Sequence, residues 1–211
     1  MTHRAAARTL ADRDRVIDGL VVASGLPRLG RRDDSHFAAL VRSVVYQQLA
    51  GAAAGAIHHR LVTALGGTVS PAAVAGLPDD ALRAAGLSAN KALSLRDLAA
   101  KVLEGAVELD PRRIAREGDD EIVARLCSVR GIGPWTAQMF LMFQLRRLDV
   151  WPTGDLAVRR GYGLAWAVPT PTERELEALG ETFRPFRSVA AWYCWRACEL
   201  LSGATESALT R

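Results

Sequence analysis

Apolar positions recur along the chain with a period near 3.6 residues, and no stretch shows the strict alternation of a half-buried strand. Phe37, Leu40, Val41, Val44 and Val45 form one helical stripe, and a second helical stretch covers residues 50–65. The polar pair Gln47 and Gln48 falls at their junction. Gly66 and Gly67 end the second helix, Pro78 followed by Asp79 and Asp80 opens another, and Ser88 is placed to cap a run that reaches Leu103. Asp119 and Asp120 begin a short helix ending near Cys127. Pro134 fits the first position of the next, which extends to the neighbourhood of Gln144. Further helices start near Leu156, Thr172 and Val189, so the pattern predicts an all-α chain of roughly ten short segments.

Length and composition narrow this without naming a task. With 211 residues the chain is one large domain or two intimate lobes. Hydrophobic residues make up 49% and charged residues 24%, which excludes a mainly disordered, collagenous or coiled-coil protein. The amino terminus lacks the apolar core of a signal peptide, and the longest nearly apolar run, residues 135–145, is too short to span a bilayer. A soluble, cytoplasmic protein is expected. Cys127, Cys194 and Cys198 cannot all pair within one chain and are read as free thiols. The four histidines, His3, His36, His58 and His59, show no metal-ligand spacing. Lys91 and Arg96 are expected on a solvated helix face. A net charge of +4 permits a polyanionic partner but does not require one.

Residues 126–137, Leu-Cys-Ser-Val-Arg-Gly-Ile-Gly-Pro-Trp-Thr-Ala, place Gly131 and Gly133 between two helices with a proline next in line. Both glycines can take positive φ and neither carries a Cβ to obstruct an approaching backbone. With the unpaired amides of the following helix they form a cradle for phosphate, favoured by the helix dipole. A tight αα turn in a helical protein would read the same way. Downstream, Asp155 in Val-Trp-Pro-Thr-Gly-Asp-Leu-Ala-Val (residues 150–158) stands at a helix start, where most aspartates serve as N-caps.

Taken whole, these strings resemble the helix-hairpin-helix base-excision DNA glycosylases, the superfamily named for its hairpin, its Gly/Pro-rich loop and its aspartate. Tyr46-Gln-Gln-Leu49, Gly86-Leu-Ser-Ala-Asn-Lys91 and Arg184-Pro-Phe-Arg-Ser188 match in order as well, so the likeness runs from about residue 37 to 195. In detail the chain is similar to the alkylpurine branch, the DNA-3-methyladenine glycosylase II type, without that branch's frequent N-terminal β domain. The resemblance implies a two-lobed helical fold with a central cleft. A barrel lobe would cover residues 35–148, including the hairpin, and residues 1–34 with 149–211 would make the second lobe. It implies a monomer acting on double-stranded DNA that contains damaged bases.

The resemblance also assigns residues. Asp155 becomes the catalytic carboxylate, which stabilises an oxocarbenium-like sugar and activates water. Bifunctional relatives carry a nucleophilic lysine two residues after the second hairpin glycine; that position is Trp135 here, implying a monofunctional enzyme that leaves an abasic site. Trp135, Trp195 and Tyr46 match the walls of a base pocket, where an electron-rich face suits a cationic methylated purine. Trp192 and Tyr193 are as readily core. Gln48 matches the side chain that fills the gap left by a flipped nucleotide, although Gln47 and Gln48 also suit a polar helix junction. Ala50 stands where relatives have serine, which weakens the cap of its helix. Gly131, Gly133 and Thr136 would meet phosphate, and the backbone carbonyls of Cys127, Val129 and Ile132 would hold a structural Na+ or K+. No cofactor is implied for catalysis, and three cysteines cannot carry the iron-sulfur cluster of some relatives. The rival functions are a mismatch or oxidised-base glycosylase and a non-catalytic DNA-binding module.

Overall fold

Short polar side chains set most of the helix starts. Thr2, Asp14, Ser35, Ser70, Ser88, Asp110, Asp155 and Thr172 each accept a hydrogen bond from an amide in the first turn of the helix that follows. The computed structural model describes residues 1–27 and 34–208, with side chains as far as Leu201. Among the described residues there are thirteen α-helices and no strand. None of these helices is long and apolar enough to cross a membrane.

The chain divides into two units, Met1–Arg31 with Arg146–Arg211, and Arg32–Leu145. In the first unit lie α1 (His3–Ala11), α2 (Arg15–Ser24), α11 (Leu156–Ala165), α12 (Glu173–Gly180) and α13 (Arg187–Ala208). The helix pair α11 and α13 is its centre. Gly161 permits their contact, since a Cβ there would lie 1.8 Å from the Cys194 carbonyl oxygen. Tyr193 is fully buried on α13 and donates its hydroxyl to Gly25 O at 3.2 Å, tying the end of α2 to this pair.

The second unit holds α3 (His36–Tyr46), α4 (Gly51–Ala64), α5 (Pro71–Gly76), α6 (Asp79–Ala84), α7 (Ala89–Leu103), α8 (Pro111–Ile114), α9 (Asp119–Cys127) and α10 (Pro134–Met139). Its core is drawn from every one of the longer helices, with Leu40, Leu61, Leu95, Leu98, Ile122 and Leu126 fully buried. Ala50 offers no side-chain cap to α4. Gly66 and Gly67 stop that helix at φ 69° and 85°, in the left-handed region that glycine enters without steric cost.

Four helices lie outside the predicted set. α1 buries only Ala6, Ala7 and Leu10, α2 only Ile17 and Leu20, and α5 and α8 are too short to display a period. The expected helix from Pro134 does reach Gln144, but its last five residues, Phe140–Gln144, wind as a π-helix. That turn buries Phe140, Leu141 and Met142 and leaves Phe143 exposed.

The expectation of a solvated face for Lys91 and Arg96 is wrong. Arg96 closes the end of α5, donating Nη1 to the carbonyls of Val74 and Ala75 at 2.7 Å each and Nη2 to Leu77 O and Asp79. A guanidinium supplies several donors in a fixed fork, which suits the unpaired carbonyls at a helix C-terminus. Lys91 likewise donates Nζ to the carbonyls of Val45 and Gln47 at the end of α3.

Candidate functional site

The loop leading to Asp155 is anchored from both sides. Trp151 is buried, donates Nε1 to Leu176 O at 2.8 Å, and lies against Gly180, where a Cβ would come within 2.3 Å of the indole nitrogen. Arg187 holds Asp149 through Nε to Oδ1 at 2.9 Å and Nη2 to Oδ2 at 3.0 Å. Ser188 Oγ accepts the Val150 amide at 2.9 Å and donates to Arg147 O at 2.8 Å. The Arg-Ser pair that opens α13 thus fixes the strand of chain running into the aspartate. The sequence pattern alone assigns that segment no role.

Asp155 is nearly buried, at 9% exposure, and caps α11 with Oδ1, which accepts the amides of Ala157 at 2.8 Å and Val158 at 3.0 Å. The cap interpretation is therefore correct as geometry, and it leaves open a second task for the same carboxylate. Cys194 faces α11 from α13, and its thiol is pushed up by burial first and by the Asp155 charge second. Trp195, the next residue, is half-buried. The first unit therefore carries the carboxylate and one expected pocket tryptophan on its two most closely packed helices. Trp192 is half-buried under the Arg196 guanidinium, 5.8 Å from its ring centre, whereas Tyr193 is core, as one of its two readings had it.

In the second unit α9 and α10 enclose the glycine turn. Gly131 adopts φ 74°, but Gly133 does not share it: as N-cap of α10 it sits at φ −99° in extended backbone. The two glycines serve different ends. A Cβ on Gly131 would lie 2.4 Å from Ser94 Oγ, so this residue lets α7 approach the turn, whereas a Cβ on Gly133 would meet nothing within 4 Å. Thr136 is buried at 5% exposure, and its Oγ1 accepts from Gln47 Nε2 at 3.2 Å. Any contact of Thr136 with a phosphate falls to its backbone. Gln47 also donates to Gly131 O at 2.9 Å, a tie between the α3–α4 junction and the turn that no local pattern announces.

The remaining expected residues cluster near that junction. Gln48 is exposed with φ 56°, Tyr46 is 38% exposed, and Trp135 is 48% exposed at the start of α10. Tyr46 lines a cavity of about 250 Å³ with Arg42, Ser43, Met139, Phe140 and Phe143, residues that sequence reasoning did not pick out. Of the carbonyls of Cys127, Val129 and Ile132, that of Val129 accepts the Ile132 amide at 3.1 Å, closing the turn. All three cysteines are free thiols.

The HhH-GPD superfamily of base excision DNA repair proteins matches residues 41–185, which include both the hairpin and the loop before Asp155. DNA-3-methyladenine glycosylase 1 of Schizosaccharomyces pombe is 35% identical over 164 residues, 76% of this chain and 72% of that protein. The structure of the 3-methyladenine DNA glycosylase Mag1 of the same yeast, in complex with abasic DNA, superposes with a TM-score of 0.81 at 32% identity, covering 93% of this chain and 97% of that one. A DNA-3-methyladenine glycosidase from Bacillus halodurans gives 0.83 at 30% identity, over 94% and 91% of the two chains. The likeness thus covers nearly the whole length, and the chain belongs to the HhH-GPD superfamily of base excision DNA repair proteins.

Proposed function

We propose that the protein is a monofunctional DNA glycosylase that hydrolyses the N-glycosidic bond of alkylated purines, of the 3-methyladenine type, in double-stranded DNA and so initiates base excision repair. The observation that carries this reading is Asp155, a nearly buried carboxylate held in place by its cap bonds and by a loop anchored through Trp151, Arg187 and Ser188. As the glycosidic bond lengthens, positive charge develops on the sugar, and a carboxylate already positioned there stabilises it without reorganising. The same group orients and deprotonates the attacking water.

Supporting parts follow. Trp135, Trp195 and Tyr46 offer π-faces for a cationic methylated base. Gln48 fills the gap left in the stack and bonds the orphaned partner base. The backbone amides of Gly131, Gly133 and Thr136 receive a phosphate at the start of α10. A monovalent cation at the carbonyls of Cys127, Val129 and Ile132 would neutralise charge beside that phosphate. The oxygens of Cys127 and Val129 are hard donors at the negative end of α9, where Ser128 O already attracts the Lys101 ammonium. The protein would act inside the cell as a monomer.

Incubation with duplexes carrying single defined lesions should release alkylated purines and leave the backbone intact until alkali is added. Because Trp135 has no amine, borohydride should trap no covalent complex. A trapped adduct would end the monofunctional reading, and release confined to mismatched or oxidised bases would end the alkylpurine one. The hairpin gives a second test. Gly133→Asp adds a side chain where nothing lies within 4 Å and where aspartate is a good N-cap, so the melting temperature should hold. Its charge would face the incoming phosphate, and binding to lesion and intact duplexes should weaken alike, by roughly tenfold or more. Loss confined to lesion DNA would remove the phosphate role from this turn.

A further inference from the structure

Four polar residues of α7 form a stripe: Lys91, Ser94, Asp97 and Lys101 follow one another at steps of three, three and four residues, which places them on one helix face. Each touches a different part of two neighbouring segments. Lys91 Nζ donates to Val45 O at 2.7 Å and to Gln47 O at 2.8 Å, the carbonyls at the end of α3. Ser94 lies against Gly131. Asp97 Oδ2 accepts the Arg130 amide at 2.7 Å and pairs with Lys101 at 2.8 Å, while Lys101 also reaches Ser128 O. One helix face therefore supports both the α3–α4 junction and the hairpin, and Gln47 links the two through its bonds to Gly131 O and Thr136 Oγ1.

Lys91 occupies an unfavourable place for an ammonium. It lies in the first turn of α7, at the positive end of the helix dipole, and desolvation pushes it down from the usual lysine range. Its two carbonyl partners offset that cost. The next residue, Gln48, has a φ of 56°, a left-handed conformation that residues other than Gly, Asn and Asp rarely adopt. Without the bracket on Val45 and Gln47 the turn would relax and carry the Gln48 side chain with it.

We infer that Lys91 is a positioning residue for base extrusion: by clamping the carbonyls of Val45 and Gln47 it holds Gln48 in its left-handed turn, in fixed register with the hairpin. The inference rests on the role proposed above for Gln48. Lys91→Met keeps the apolar stem and removes the donor, and Lys91→Arg restores donors for both carbonyls. Each is made alone and with Gln48→Ala. Two quantities are read: the affinity for an intact duplex against the same duplex holding a tetrahydrofuran abasic analogue, and single-turnover base release from methylated DNA.

Lys91→Met should lower both the preference for the abasic duplex and the release rate about tenfold. Affinity for intact DNA should stay within about twofold, because Ser94, Asp97 and Lys101 still hold the hairpin. Lys91→Arg should recover most of the loss. In the Gln48→Ala background Lys91→Met should change neither quantity by more than about twofold. An equal loss in both backgrounds would make Lys91 a general stabiliser and overturn the inference, as would no loss in either. If circular dichroism shows Lys91→Met unfolded, the same comparison is made with Lys91→Gln, which keeps an uncharged NH2 donor group on a shorter stem and should lose less. Absence of base release from the unsubstituted protein would sink the proposed reaction, while the two affinities still judge Lys91.

Discussion

Asp155→Asn is expected to lose base release by roughly two to four orders of magnitude while folding and binding DNA as before. The structure separates the two tasks of this residue. The cap is made by Oδ1 to the amides of Ala157 and Val158, and an asparagine carbonyl oxygen can occupy the same place. What the amide lacks is the negative charge that an oxocarbenium-like sugar requires and the basicity that takes a proton from water. Asp155→Ala should show the same chemical loss and a structural one besides, about 0.5–2 kcal/mol from the missing cap. The melting temperature then tells the variants apart and the release rate does not. If Asp155→Asn retains most of its release rate on a good substrate, the carboxylate is a cap alone and the proposed chemistry is wrong.

The second large effect belongs to packing. A Cβ at Gly161 would stand 1.8 Å from Cys194 O, 2.5 Å from its carbonyl carbon and 3.0 Å from its Cα. All three are backbone atoms of α13, so no rotamer change relieves the overlap and the two helices must separate. Gly161→Ala should therefore destabilise the protein by about 3–5 kcal/mol despite the better helix propensity of alanine. Gly19→Ala is the control. It lies within α2 with nothing inside 4 Å of an added Cβ, so the change should stabilise by about 0.4–1 kcal/mol. Chemical denaturation of both variants measures the contrast. A Gly161→Ala protein as stable as the parent would mean that α11 and α13 do not meet at this glycine. Because Asp155 opens α11 and Trp195 lies on α13, a partly folded Gly161→Ala protein should also lose base release out of proportion to its loss of DNA binding.

The helix starts at Ser88, Pro134 and Thr172, the stop at Gly66 and Gly67, and the cap at Asp155 were legible in the amino-acid order because each depends on neighbours a few residues away. The same holds for the turn at Gly131, whose left-handed backbone needs only local sterics to be anticipated. Gly133 looked equivalent and was not, since the cap position it fills is extended. Asp155, Trp135 and the hairpin were found as a pattern, through resemblance, and their neighbourhood was not. Gln47 lies 84 residues from the Gly131 carbonyl it holds, Lys91 lies 46 from Val45, and Arg187 lies 38 from Asp149. No periodicity or cap rule links positions so far apart. A lysine with a polar surrounding in sequence reads as solvated, and only the packing of α7 beneath α3 shows its ammonium bonded to carbonyls that would otherwise lack donors. Gly161 makes the same point with a steric argument: its meaning is the nearness of another helix's backbone. Local conformation is legible in the residue order because backbone sterics and hydrogen-bond valence act over a few residues. Which side chains hold the candidate site depends on packing, because buried polar groups take whatever partner the folded chain brings within reach.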